Sequence, residues 1–182
     1  MNVKPVAVGQ NNARSYDGAL MERGKEAENI VIEFLKKRPE VVGVSDWRQL
    51  RETREADVDV AIKTIDGRIT LAEIKSDSYL GVSGNVLFEV LRINHTCQTD
   101  YALTLGWSGR TPAKYILFFA PNINKIYRFD TELFRKAFQK YTQKQRKHMQ
   151  ISIVETDAIK TTINVLIPIS QCFGAYTVYD LE

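Results

Sequence analysis

The chain of 182 residues is poor in the groups that mark several common chemistries. It has two cysteines, Cys97 and Cys172, and two histidines, His95 and His148. Two thiols build no disulfide framework, and neither histidine completes a zinc-ligand spacing with them. They read as reduced thiols in a cytoplasmic protein. Neither histidine lies in a Ser- or Cys-nucleophile signature. The phosphate-cradling string G-x-x-x-x-G-K-S/T is absent. No apolar run reaches the roughly 18 residues a membrane span needs, and Met1 to Gly18 carry no apolar core of a secretory signal. No internal repeat is visible. With 44% hydrophobic and 26% charged residues, the composition excludes disordered and fibrous classes and fits one domain with a sizeable core.

Charge is present but uneven. Net charge is only +3. Residues 121–150 hold eight lysines and arginines against Asp130 and Glu132, a local +6 that leaves the rest of the chain at about −3. A basic stretch beside a more acidic body suits a protein that grips a polyanion and keeps carboxylates for chemistry. A solvated helix face explains the same stretch without any partner.

Periodicity supplies the elements. Residues 1–20 read as an N-terminal arm and 21–182 as a single domain. Ala27, Ile30, Val31, Phe34 and Leu35 form one apolar stripe of a helix from Met21 to Lys37, ended by Pro39. A strand follows over Val41–Trp47, then a polar loop over Arg48–Glu55. Val58, Val60 and Ile62 alternate with Asp57, Asp59 and Ala61 as a strand, Asp66-Gly67 signals a hairpin turn, and Ile69–Lys75 returns. Asp77–Gly84 reads as a loop, Asn85–Ile93 as a strand, and Trp107–Arg110 as a loop. Tyr115–Ala120 and Lys125–Phe129 are strands, Thr131 caps a helix reaching Lys147, and Ile151–Glu155 and Ile163–Ile167 close the pattern.

The hairpin carries the chemistry. Alternation puts Glu73 and Lys75 on one face, and Asp57 and Asp59 on one face. The turn brings Asp59 and Glu73 to the same height. A carboxylate pair and a lysine thus converge on strands whose neighbours are apolar, where ionised groups are costly unless paired or bound to metal. A hard divalent cation relieves the repulsion of two carboxylates, and Mg²⁺ takes such ligands together with carbonyls, waters and phosphates. A lysine beside it can orient or deprotonate the attacking water or steady the charge of a pentavalent phosphorus. The alternative is plain salt bridging, Asp59 with Lys75 and Glu73 with an arginine such as Arg54. A glycosidase pair of Glu28 and Glu73 is opposed by the adjacent lysine and by the lack of an aromatic sugar platform.

Asp59, thirteen further residues and then Glu73-Ile74-Lys75 resemble the PD-(D/E)XK nuclease signature. Upstream, Gly24-Lys25-Glu26-Ala27-Glu28 resembles the first-helix glutamate of archaeal Holliday-junction resolvases. The resemblance covers Gly24 to Phe119. It implies an α/β fold with a restriction-endonuclease-like core, a mixed central β-sheet flanked by helices. It also implies hydrolysis of DNA phosphodiesters by metal-activated water, with Mg (or Mn) as cofactor, in a phage, mobile-element or repair setting. Asp59, Glu73 and the Ile74 carbonyl would be metal ligands, Lys75 the catalytic lysine, and Glu28 would bind metal or water. A resolvase-type member would act as a homodimer.

The sequence departs from that pattern at one place: the family's proline is missing from Ala56-Asp57-Val58-Asp59, which leaves Asp57 as a second candidate ligand. Ser83-Gly84-Asn85 with Phe88-Glu89 resembles a feature of some phage and bacterial members, making Asn85 and Glu89 accessory candidates. Arg48, Arg51 and Arg54, and Lys136, Lys140 and Lys144 of the basic helix, are candidate nucleic-acid contacts. A non-catalytic module binding nucleic acid or protein on the same fold is the alternative reading of the whole chain.

Overall fold

The computed structural model describes residues 18–95, 101–145, 149–156 and 160–181. Among these, the elements in chain order are α1 (Gly18–Lys36), β1 (Val41–Asp46), α2 (Arg51–Glu55), β2 (Val60–Thr64), β3 (Ile69–Ser76), α3 (Leu80–Ser83) and β4 (Asn85–His95). Then come β5 (Tyr101–Leu105), α4 (Trp107–Arg110), β6 (Tyr115–Ala120), β7 (Lys125–Asp130), α5 (Thr131–Lys144), β8 (Gln150–Thr156), β9 (Lys160–Pro168) and β10 (Tyr176–Asp180). The fold is mixed α/β. Six strands pair in the order β1-β2-β3-β6-β7-β10, and four more in the order β5-β4-β9-β8. Every ladder is antiparallel except β3 against β6, which makes the larger sheet mixed. A parallel pair needs a long crossover, and here that crossover carries α3, β4, β5 and α4.

The central strands are buried on both faces. On β6, Ile116, Phe118 and Ala120 enter one core cluster while Leu117 and Phe119 enter another. α1 covers the second face, setting Ala27, Val31, Ile32 and Leu35 against Val60, Ile62, Ala72 and Ile74. α5 and one end of the smaller sheet cover the first face. There Phe134 packs on Phe129, Phe88 and Phe118, with ring centroids 4.7, 5.2 and 6.1 Å apart.

Several expectations are corrected. α1 begins at Gly18, inside the expected arm; residues 1–17 lie outside the described ones. Its stripe is rotated toward Ile32, and Ile30 is 44% exposed. The hairpin β2–β3 sits next to the edge strand β1, and β3 is one of the two middle strands of the larger sheet. Three segments expected as loops each hold a short helix: Arg51–Glu55, Leu80–Ser83 and Trp107–Arg110. α5 is capped by Asp130, whose Oδ1 accepts the Leu133 N–H at 3.1 Å, rather than by Thr131. The strands β5 and β10, and a second sheet, were not expected. α5 ends at Lys144, with Gln145 as its C-cap rather than within the helix, while residues 146–148 and Cys97 lie outside the described residues. No helix of the described residues is long and apolar enough to cross a membrane.

This packing makes Phe134 the pin of α5. Truncation to Phe134→Ala is expected to cost about 3–5 kcal/mol in urea unfolding. Leu133→Ala, at a 43% exposed neighbour, should cost less than about 1 kcal/mol.

Candidate active site

Alternation along β3 decides which side chains meet. Ala72 and Ile74 turn under α1, so Glu73 and Lys75 turn to the opposite face. Val60 pairs with Ala72 at the start of the β2–β3 ladder, and Asp59 stands just before it, near enough for its charge to act on Glu73. Asp59 precedes β2 and is held by its own backbone: its N–H donates to the Ala72 carbonyl at 3.1 Å, and its carbonyl accepts from Trp47 at 2.8 Å. Its side-chain Oδ2 accepts the Ile74 N–H at 2.7 Å. Ile74 therefore serves the site through its amide while its side chain stays in the core.

Glu73 is 2% exposed. Lys75 donates to its Oε1 in an ion pair, whereas Oε2 is buried with no hydrogen-bond partner among the described residues. The Lys75 ammonium also lies 5.0 Å from the centre of the Trp107 ring. Burial pushes the Glu73 carboxyl up to about 8; the Lys75 charge opposes this, and the charges of Asp59 and Asp57 add to it. For Lys75, burial works against the ammonium, but Glu73, Asp59 and Asp57 outweigh it and raise its pKa. Lys75 is therefore a firmly held cation at neutral pH, suited to stabilising anionic charge rather than to taking a proton.

The other candidates are placed elsewhere. Asp57 is not on a strand: it takes a left-handed conformation at φ 54°, which aspartate tolerates better than most residues. Its carboxylate is held by Arg110 of α4, through Nε at 2.7 Å and through Nη2, and its carbonyl accepts from Thr111 Oγ1 at 2.6 Å. Glu28 is drawn to Arg48 at 2.9 Å. Arg48 is further occupied by Asp46 at 2.6 Å and Asn29 at 2.8 Å. Among the described residues no three His, Cys, Asp or Glu side chains come together as a metal cage, so Glu28 completes no triad with Asp59 and Glu73. Glu89 is buried and accepts from the Trp107 N–H at 3.3 Å and from Arg92 Nη2 at 3.0 Å. Asn85 opens β4 opposite Pro168, its N–H donating to Ser83 Oγ at 3.1 Å.

Of the expected DNA contacts, Arg51 pairs with Glu55 on α2 at 2.8 Å, and Arg54 lies on the same short helix. Lys136, Lys140 and Lys144 are exposed at four-residue spacing along α5. The expected bridge between Asp59 and Lys75 does not form; Lys75 bonds Glu73 instead. Trp107 and Arg110 belong to the site's walls, which the sequence signals only as a short Trp-Ser-Gly-Arg string. A cavity of about 270 Å³ lies at the turn end of the same hairpin, lined by Phe34, Arg38, Arg68 and Tyr115 among others, and contains neither Asp59 nor Glu73.

A testable consequence concerns Glu73 in the metal-free protein. Its pKa is raised from about 4.5 to about 8, so the folded state holds this proton more tightly than the unfolded chain does. The stability it contributes is full below about pH 4.5 and is lost as pH rises through about 8. Lys75 stays charged over this window. Urea unfolding at a series of pH values should show this loss in the wild type and a flatter profile in Glu73→Gln; identical profiles would contradict the assignment.

Comparison with known proteins gives little sequence likeness. No family model matches the chain, and no curated protein matches it. Among solved structures it is similar to that of a bacterial homing endonuclease, I-Ssp6803I, at 12% identity and a TM-score of 0.44, over 67% of this chain and 74% of that one.

Proposed function

We propose that this chain is a PD-(D/E)XK-type endonuclease with a restriction-endonuclease-like core, hydrolysing DNA phosphodiesters with Mg²⁺ or Mn²⁺ as cofactor. The observation that carries the reading is the buried, half-partnered carboxylate of Glu73 with the charge of Asp59 near it and a charged Lys75 beside it. A buried acceptor without a partner is costly, and an oxygen-seeking divalent cation fits that oxygen and the neighbouring Asp59 carboxylate. The residues that would hold it are Asp59 and Glu73, with the Ile74 carbonyl. Bound there, the ion would neutralise phosphate charge and make a water more acidic.

The chain's own groups do the rest. The Ile74 amide fixes the Asp59 carboxylate. Lys75, kept charged by three carboxylates, stabilises the negative charge that builds on phosphorus as water attacks. Trp107 closes one side of the Lys75 ammonium and limits water there. Lys136, Lys140 and Lys144 supply positive charge for the DNA backbone. A phage, mobile-element or repair setting, a cytoplasmic location and a homodimer belong to this same proposal.

One observation favours the competing reading of a non-catalytic binding module: Lys75 already offsets Glu73 without any metal. Cleavage separates the two. Plasmid, linear, single-stranded and four-way-junction DNA should be cut with Mg²⁺ or Mn²⁺ and not with EDTA. Lys75→Ala and Asp59→Asn should each lower the rate at least about a hundredfold. DNA left intact under all conditions, with wild type and variants binding it equally, would establish the binding module.

Proton competition gives a second test. Because the Glu73 carboxyl holds its proton up to about pH 8, Mn²⁺ must displace that proton. Calorimetric affinity should tighten about tenfold from pH 6 to pH 7, with a proton released. A pH-independent affinity would show that Glu73 is not a ligand.

A further inference from the structure

The second sheet presents two different faces. Cross-strand partners point the same way. Leu91, Ile163, Leu105 and Ile153 therefore share an apolar face. The other face carries Glu89 with Asn164, Arg92 with Thr162 and Thr104, and Asn94 with Lys160. This polar face is joined to the candidate active site by a short chain of contacts. Lys75 sits on the Trp107 ring at 5.0 Å. The Trp107 N–H reaches Glu89 Oε1 at 3.3 Å, and the same oxygen accepts Arg92 Nη2 at 3.0 Å. Gly106 lets this approach happen, because a Cβ there would run into the Glu89 carbonyl.

Two features of the face call for an anion. Arg92 Nε is buried and has no hydrogen-bond partner among the described residues; Glu89 accepts only from the far end of the guanidinium. Diagonally across the ladder from Arg92, Lys160 is half-buried and carries its charge toward the same face. Burial, and then the charge of Arg92, lower its pKa; Lys75 adds to the lowering, while Glu89 and Asp57 oppose it. Two neighbouring cations, one with an unused buried donor, make a face whose repulsion a phosphate would relieve.

We propose that Arg92 and Lys160 bind a backbone phosphate of the DNA strand lying in the active site, next to the phosphodiester that is hydrolysed. This rests on the nuclease reading above and adds to it the residues that position the strand. Both are positioning residues, since neither touches Glu73 or Asp59 in the structure. Asn94 and Thr104 flank them on the same face and offer neutral hydrogen bonds to the same strand.

The test is DNA binding, measured apart from cleavage. Anisotropy of a labelled duplex in EDTA, over a series of salt concentrations, gives the slope of log affinity against log salt. Lys160→Met should weaken binding several-fold and reduce the slope by about 0.9, the loss of one phosphate contact. Arg92→Met should do the same, and Lys63→Met on β2 should change neither. Arg92 is partly buried, so its variant counts only if its melting curve matches the wild type; Lys160→Met decides otherwise. An unchanged slope in Lys160→Met overturns the phosphate grip and leaves the nuclease standing if metal-dependent cutting persists. A wild type that binds no DNA overturns the grip too, and Mn²⁺ binding at Asp59 and Glu73 then judges the catalytic reading separately.

Discussion

A carboxylate buried on the inner face of β3, with one oxygen paired and the other bare, is the constraint around which this molecule is arranged. Glu73 is placed there by alternation: its neighbours Ala72 and Ile74 are needed under α1, so Glu73 has nowhere to point but into the opposite layer. An ionised carboxylate there must find positive charge or take up a proton. The fold supplies both solutions at once. Lys75 covers Oε1, and among the described residues the remaining oxygen has no hydrogen-bond partner, with the charge of Asp59 nearby.

The layer over Glu73 is what turns a costly burial into a site. α4 is a single short turn, yet three of its contacts organise the surroundings. Trp107 supports Lys75, Arg110 anchors Asp57, and the Trp107 and Ser108 groups meet Glu89 of the second sheet. The crossover demanded by the parallel pairing of β3 and β6 thus does more than connect strands. It supplies β4 and β5 of the second sheet, and the later strands β8 and β9 complete that sheet, so that Arg92 on β4 comes to lie diagonally across from Lys160 on β9.

The hairpin was legible because its signals are local. A period-2 pattern and an Asp-Gly turn set the register, and that alternation puts Glu73 and Lys75 on one face of β3, while Asp59, just before β2, is brought close by its hydrogen bond from the Ile74 N–H. What escaped the sequence depends on distant partners. Asp57 looks like a strand residue until Arg110, 53 positions away, pulls it into a left-handed turn. Glu28 has the right spacing from its glycine, but Arg48 competes for it. Ile30 and Ile32 are equally apolar, and only the position of the sheet under α1 decides which is buried. The second sheet was hidden for a similar reason: its strands join segments from Asn85 to Pro168, so no local pattern marks them as neighbours.

The claim that Glu73 and Asp59 form a metal site is tested most directly by anomalous diffraction from crystals soaked in Mn²⁺. The account predicts manganese at the Asp59 and Glu73 carboxylates and its loss in Asp59→Asn. Crystals that show no manganese there, with Lys75 still paired to Glu73, would contradict it and leave the pair as a closed salt bridge.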